Sequence, residues 1–190
     1  MSAQPELHFT LEEYFALERG SERRFEYREG KIVLMSGGSR QHGEIARNLI
    51  RHLANRLSAT GCRVYGSDIA LVVPAAPPYR YPDVSVVCDE AQFCRIERLD
   101  ALINPALIVE VLLPTSEAYD LGTKFEWYKS IPSFAEYLLV AQDRPHVTQR
   151  TRQPDGSWLE RTIDAPTPAL QLSSMACELP LDEIYEDVQF

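Results

Sequence analysis

Apolar positions divide this chain into short strands around one long amphipathic helix. Ile45, Leu49, Leu53 and Leu57 recur every fourth residue while Arg47, Arg51, Asn55 and Arg56 take the other faces, which predicts a helix from about Ser39 to Gly61. Ahead of it, Thr10-Leu11-Glu12-Glu13 has the spacing of a capping box and leads into Tyr14, Phe15 and Leu17, so a short helix starts there. Segments 25–28 and 31–36 flank Glu29-Gly30 and predict a hairpin. Segments 62–65 and 69–73 read as strands, and the proline-dense loop 74–82 delivers the chain to another, 83–88. Residues 88–104 read as irregular or briefly helical. An apolar strand at 107–113 contains one carboxylate, and a helix over about 117–130 follows it. Strands at 135–141, 147–152 and 158–163 come next, the last two joined through Pro154-Asp155-Gly156, and 181–188 ends the chain. This order of elements predicts an α/β (α+β) sheet core flanked by helices, with an N-terminal helix and hairpin.

With 190 residues and 45% apolar composition, the chain fits one domain over 1–190, without repeats, linkers or low-complexity segments. No apolar run approaches the roughly 20 residues that span a bilayer. Met1-Ser2-Ala3-Gln4-Pro5-Glu6 carries neither a basic segment nor an apolar signal core, so a cytoplasmic protein without membrane contact is expected. Cys62, Cys88, Cys94 and Cys177 show no paired CxxC spacing, which favours reduced, mostly buried thiols over a zinc site or a disulfide framework. Nineteen basic against 28 acidic residues give a net charge of −9, which excludes broad attraction to phosphate backbones. Any nucleic-acid binding is then local or metal-assisted.

Three residues carry the candidate chemistry: Asp83 after Pro82, Glu110 inside Leu107-Ile108-Val109-Glu110-Val111-Leu112-Leu113, and Lys124 in the later helix. A carboxylate within a buried strand costs several kcal/mol unless it is paired or holds a cation. Two acidic groups on neighbouring core strands beside an ammonium suit a hard divalent ion and phosphoryl chemistry. The plainer readings are a backbone-capping Asp83, a Glu110 paired with an arginine at a strand end, and a Lys124 in an exposed helical ion pair with Asp120. Asp120, Lys124 and Tyr128 share one helix face at spacings of four. Glu26 alternates with Phe25 and Tyr27, so it either faces water or joins the site, and Glu44, two positions after His42 on the long helix, is a weaker acidic alternative there. His42 lies in the first turn of the long helix, while His8, His52 and His146 stand apart from any ligand spacing. Arg19, Arg23, Arg24 and Arg28 are interleaved with Glu18, Glu22, Glu26 and Glu29, which reads as a solvated mixed-charge surface.

Tyr81-Pro82-Asp83-Val84-Ser85-Val86-Val87, Ile108-Val109-Glu110-Val111-Leu112-Leu113-Pro114-Thr115-Ser116, Asp120 with Lys124 and Tyr128, and Glu136-Tyr137-Leu138-Leu139-Val140 together resemble the Uma2 family of restriction-endonuclease-like proteins. The segment from Phe25 to Ser36 and His42 within Ser39-Arg40-Gln41-His42-Gly43 resemble it too, so the likeness runs from about Thr10 to Tyr185. It implies a PD-(D/E)xK nuclease core, a restriction-endonuclease-like mixed sheet. Asp83 and Glu110 would then be catalytic metal ligands for Mg2+ or Mn2+, helped by the Val111 carbonyl, and a lysine would orient the attacking water. Two residues after Glu110 stands Leu112, so Lys124 has to bring the amine from the following helix. The resemblance makes Glu26 and His42 candidates for a second ring around the metal; Asp120 and Tyr128 are further candidates for it, with positioning or packing the plainer reading of both.

Two functions follow as expectations. One is a metal-dependent nuclease hydrolysing phosphodiester bonds of nucleic acid, DNA before RNA, acting as a homodimer where both strands are cut. The other is an interaction module for nucleic acid or protein that keeps this fold without cleavage, favoured by the acidic surface and the missing lysine after Glu110.

Overall fold

The computed structural model describes residues 7–35, 37–165 and 169–190, so the reading of Met1 to Glu6 and the strand end at Ser36 lie outside the described residues. In chain order the elements begin with α1 (Leu11–Gly20), β1 (Phe25–Arg28), β2 (Lys31–Leu34), α2 (Arg40–Leu57), β3 (Arg63–Gly66) and β4 (Val84–Val87). Then come β5 (Phe93–Ile96), β6 (Leu99–Leu102), β7 (Leu107–Leu112), α3 (Glu117–Tyr119), a π-helical turn (Asp120–Lys124) and α4 (Phe125–Tyr128). The chain ends with β8 (Glu136–Ala141), β9 (His146–Arg152), β10 (Trp158–Asp164), β11 (Ala169–Leu172), β12 (Cys177–Pro180) and α5 (Leu181–Ile184). Among the described residues no helix is long and apolar enough to cross a membrane.

A six-stranded mixed sheet in the order β10-β9-β8-β7-β4-β3 forms the centre. Its strands pair antiparallel except β7 with β8, and the segment from α3 to α4 provides the crossover that a parallel step requires. Alternation along β7 divides its side chains between two cores. Leu107, Val109 and Val111 pack with Ile45, Leu49, Leu53 and Leu57 of α2, whereas Ile108 and Leu112 pack with Phe125, Tyr128, Phe134 and Tyr137. Glu110 therefore emerges on the second face, towards the α3–α4 crossover. The four α2 side chains are at most 1% exposed, which stabilises the helix on the sheet by about 6–12 kcal/mol before ordering costs.

Local signals in the sequence take the expected form at the N-terminal elements. The Thr10 hydroxyl accepts the Glu13 N–H at 3.2 Å, and the Glu13 carboxylate accepts the Thr10 N–H at 2.7 Å, closing the capping box. Glu29 and Gly30 both have positive φ, 48° and 88°, as the tight turn between β1 and β2 demands. The Tyr14 hydroxyl then ties α1 to this hairpin by donating to the Phe25 carbonyl at 2.9 Å.

Two expectations are corrected and one hairpin was not expected. Residues 69–73 make no strand; Leu71 forms only isolated bridges, exchanging backbone hydrogen bonds with Arg80 of the proline loop while the flanking Ala70 and Val72 bond Leu102. Residues 93–102 form the hairpin β5–β6, turning at Glu97 with φ 53°, a turn without the glycine that would announce it. The hairpin β11–β12 likewise escaped the pattern of apolar positions.

The cysteine expectation also fails in part, since Cys62 and Cys88 are joined by a disulfide while Cys94 and Cys177 are free and partly buried. Arg63 pairs with Val87, so Cys62 and Cys88 continue the same antiparallel register, a proximity that a separation of 26 residues conceals. Closing a loop of that length removes unfolded-state entropy worth about 3 to 4 kcal/mol. Cys88→Ser should lower unfolding free energy by that amount in urea without reductant, and a variant as stable as wild type would show the bond to be energetically idle.

Candidate functional site

A cavity of about 320 Å³ opens where the hairpin β1–β2, the start of α2, the C-terminal half of β7 and the π turn meet. Glu26, His42, Asp83, Glu110, Asp120 and Lys124 all line it, together with Val111. Tyr128 lies directly behind, its hydroxyl donating to Glu110 Oε1 at 2.8 Å. All the candidates from the sequence thus meet at one place. The other histidines lie elsewhere: His52 bonds Glu183 and Glu186, His146 bonds Asp164, and His8 sits against Gly30. Glu44 pairs with Arg40 outside the cavity wall.

Lys124 is the centre of the arrangement. Its Nζ lies 2.7 Å from Glu110 Oε1 and 3.2 Å from Asp120 Oδ1, with the lysine side chain 7% exposed. The reading of Lys124 as an exposed partner of Asp120 is therefore replaced by a buried three-membered cluster. Burial alone would lower the Lys124 pKa, but Glu110, Asp120 and Glu26 hold it well above its ordinary value. Burial pushes the Glu110 carboxyl up, to about 8, with Asp120 and Asp83 adding to the rise and Lys124 opposing it. Burial and the neighbouring Glu110 also push the Tyr128 phenol well up, so it remains a donor.

The helix expected over 117–130 is interrupted, and the interruption sets the position of Lys124. Asp120 and Lys124 are the first and last residues of the π turn. Such a turn departs from the regular i→i+4 ladder of an α-helix. The Asp120 carbonyl accepts the Tyr137 hydroxyl at 3.1 Å and the Leu121 carbonyl accepts Arg150 Nη1 at 2.7 Å, so β8 and β9 satisfy it. The Ser116 hydroxyl donates to Asp120 Oδ2 at 2.7 Å, but Oδ1 is buried without a hydrogen bond.

Asp83 stands just ahead of β4, where its Oδ2 accepts the Val111 N–H at 2.7 Å and lies 3.2 Å from His42 Nε2. The loop-capping role and the site role thus belong to the same carboxylate. His42 arrives there because the Ser39 hydroxyl caps α2 by accepting the His42 N–H at 3.1 Å. A side chain at position 38 would place its Cβ 2.7 Å from the imidazole, so Gly38 permits the approach. Burial would lower the His42 pKa, but the hydrogen bond and charge of Asp83 raise it above 6.5. A raised value in the folded state means that the pair's stabilisation is full below pH 6.5 and fades as pH rises through the folded value. Urea unfolding of wild type and His42→Gln should therefore converge as pH rises from below 6.5 through the folded value, and a constant difference would sink the pairing.

Glu26 is 2% exposed. Burial would raise its carboxyl pKa, but the cations Lys124, Arg28 and Arg80 hold it below the usual range. Arg28 also lines the cavity, against the expectation of a solvated arginine cluster. The signal was present in the alternation, since Glu26 and Arg28 share the strand face opposite Phe25 and Tyr27. Four carboxyl side chains in the wall, Glu26, Asp83, Glu110 and Asp120, outnumber the two permanent cations, Arg28 and Lys124. Among the described residues no three His, Cys, Asp or Glu side chains stand ready as a metal cage, since the ammonium occupies the point where Glu110 and Asp120 converge. The donor set nevertheless fits a hard divalent cation: carboxyl oxygens that outnumber the fixed cations, and an Asp120 Oδ1 that accepts no hydrogen bond and faces only the Lys124 ion pair among the described residues.

A buried acidic residue elsewhere shows the contrast. Glu136 is fully buried but accepts from Gln149 and Ser174, neutral donors that hold the β11–β12 hairpin side of the sheet. Its role is architectural.

Among known proteins, the chain is 34% identical over 179 residues to the uncharacterized protein slr1290 of Synechocystis sp. (strain ATCC 27184 / PCC 6803 / Kazusa), covering 94% of this chain and 92% of that one. It is 30% identical over 166 residues to the uncharacterized protein sll1609 of the same strain, covering 87% and 93% respectively. A crystal structure from Anabaena variabilis ATCC 29413, described as "a putative nuclease belonging to DUF820", superposes with a TM-score of 0.73 at 18% identity, over 93% of this chain and 97% of that one. At that identity the likeness establishes the fold, the mixed α+β sheet expected from the sequence. The family described as "Putative restriction endonuclease" matches from residue 11 to residue 182, a span that includes every residue of the cavity wall, and the chain therefore belongs to the Uma2 family.

Proposed function

We propose that this protein is a divalent-metal-dependent nuclease hydrolysing phosphodiester bonds of nucleic acid, with the cavity around Glu110 as its active site. The observation that carries the reading is the 2.7 Å contact between Lys124 and Glu110, which puts the amine beside the strand carboxylate although it comes from another element. The family description and the nuclease title of the Anabaena structure point the same way.

In this reading Asp83 and Glu110 hold Mg2+ or Mn2+ with the Val111 carbonyl, which leaves β7 on the edge where the Val111 N–H meets Asp83. The ion, when bound, supplies Lewis acidity towards the phosphoryl oxygens and lowers the pKa of water. Lys124 orients the attacking water or the scissile phosphate, and Asp120 holds the ammonium in register. Tyr128 fixes the Glu110 carboxylate, and His42 positions Asp83 through its contact with Oδ2. The long helix and sheet keep these groups on rigid supports, so the protein's contribution is chiefly placement.

A second reading, a nucleic-acid or protein interaction module without cleavage, draws on the ammonium filling the carboxylate cluster and on the net charge of −9. Purified protein incubated with single- and double-stranded DNA and RNA, in manganese, magnesium or chelator, decides between them. Cleavage that requires metal supports the enzyme; binding without cleavage under every condition supports the module.

A further inference from the structure

Arg28 lines the cavity and has no part in the chemistry proposed above. Its Nε donates to Glu26 Oε2 at 2.9 Å and its Nη2 lies 2.7 Å from the same oxygen. The guanidinium also covers the Tyr119 ring, its carbon 4.1 Å from the ring centroid. One edge and one face of the fork are therefore held, while the side chain remains 31% exposed. A guanidinium has five N–H groups. With two directed at Glu26, three remain without another hydrogen-bond partner among the described residues, on a residue of the cavity wall.

We propose that Arg28 is a phosphate-binding residue of this cavity, presenting a preorganised fork to the phosphate group of a nucleotide. The inference rests on the metal-dependent reading above and adds the group that grips the anion. Guanidinium suits the task because it is always charged, weakly hydrated and matched to two phosphate oxygens at once. The plain alternative is that Arg28 only neutralises Glu26. Glu26, however, already feels Lys124 and Arg80, and neutralisation would not require an open, clamped fork. The excess of carboxylates repels phosphate from the metal-free cavity, so anion and divalent cation should bind with positive coupling.

Calorimetric titration provides the test, using manganese alone and then thymidine 5′-monophosphate or inorganic phosphate at saturating manganese. Arg28→Lys should bind manganese as wild type does, and Arg28→Met, which removes a cation from the cavity wall, at least as tightly. Both phosphate ligands should bind about 10- to 100-fold more weakly to Arg28→Met, the range for losing a hydrogen bond to a charged group. Arg28→Lys keeps the charge beside Glu26 but loses the fork, and should also be weakened, by about tenfold; it carries the comparison if the methionine variant does not fold. Manganese binding with equal phosphate affinity in wild type and the variants overturns the role of Arg28 alone. A wild-type protein that binds no manganese overturns the metal-dependent reading, and this inference with it.

Discussion

Lys124→Met is expected to lower folding stability by about 3–5 kcal/mol and to abolish phosphodiester cleavage while manganese still binds. Lys124 is 6% exposed and is in ion-pair contact with both Glu110 and Asp120, so its loss leaves two carboxylates close together without their shared cation. An exposed helical pair would cost at most about 0.5 kcal/mol, and the difference between these figures is large enough to measure by urea unfolding. Manganese, a cation able to replace the ammonium electrostatically, should restore part of the loss, about 2.7 kcal/mol at a hundredfold excess over its dissociation constant. A variant with wild-type stability and undiminished cleavage would remove Lys124 from the catalytic residues and leave the nuclease reading without its amine.

Glu110→Gln should weaken manganese binding by at least about 100-fold, the upper end of what even outer-sphere partners of metals contribute. Glutamine is the informative replacement because its amide oxygen still accepts from Tyr128, whose hydroxyl would otherwise be buried without a partner. The shape of the strand is kept, and the carboxyl that a bound cation would hold ionised is lost. Lys124 keeps Asp120, so folding stability should change little compared with Lys124→Met. Asp83→Asn should show the same loss of manganese affinity, since it removes the other proposed ligand. Equal affinity in wild type and both variants, by calorimetry, would sink the metal site whatever the cleavage assays show.

The two experiments separate roles that one activity assay would merge. Loss of cleavage with metal retained points to Lys124 as the orienting charge, whereas loss of metal points to the carboxylates as ligands.

What the sequence determined by itself was local or periodic. Thr10 and Glu13 could announce a capping box because both partners lie within one turn, and Glu29-Gly30 could announce a hairpin because positive φ is a property of the turn itself. The four-residue spacing of Ile45, Leu49, Leu53 and Leu57 described the face that α2 buries, and Glu110 stood out because a carboxylate in an apolar strand needs a partner. Only the tertiary structure decided how these pieces meet. The π turn has its carbonyls at Asp120 and Leu121 bonded by Tyr137 and Arg150, on strands that follow it, contacts that nothing within 117–130 could reveal. The Cys62–Cys88 bond depends on the register of β3 with β4. Glu26 and Arg28 resemble any exposed acid–base pair until the hairpin folds over the end of β7 and turns them inward, where low dielectric makes every charge depend on its neighbours. Sequence separation hides such contacts, and burial gives them their energy.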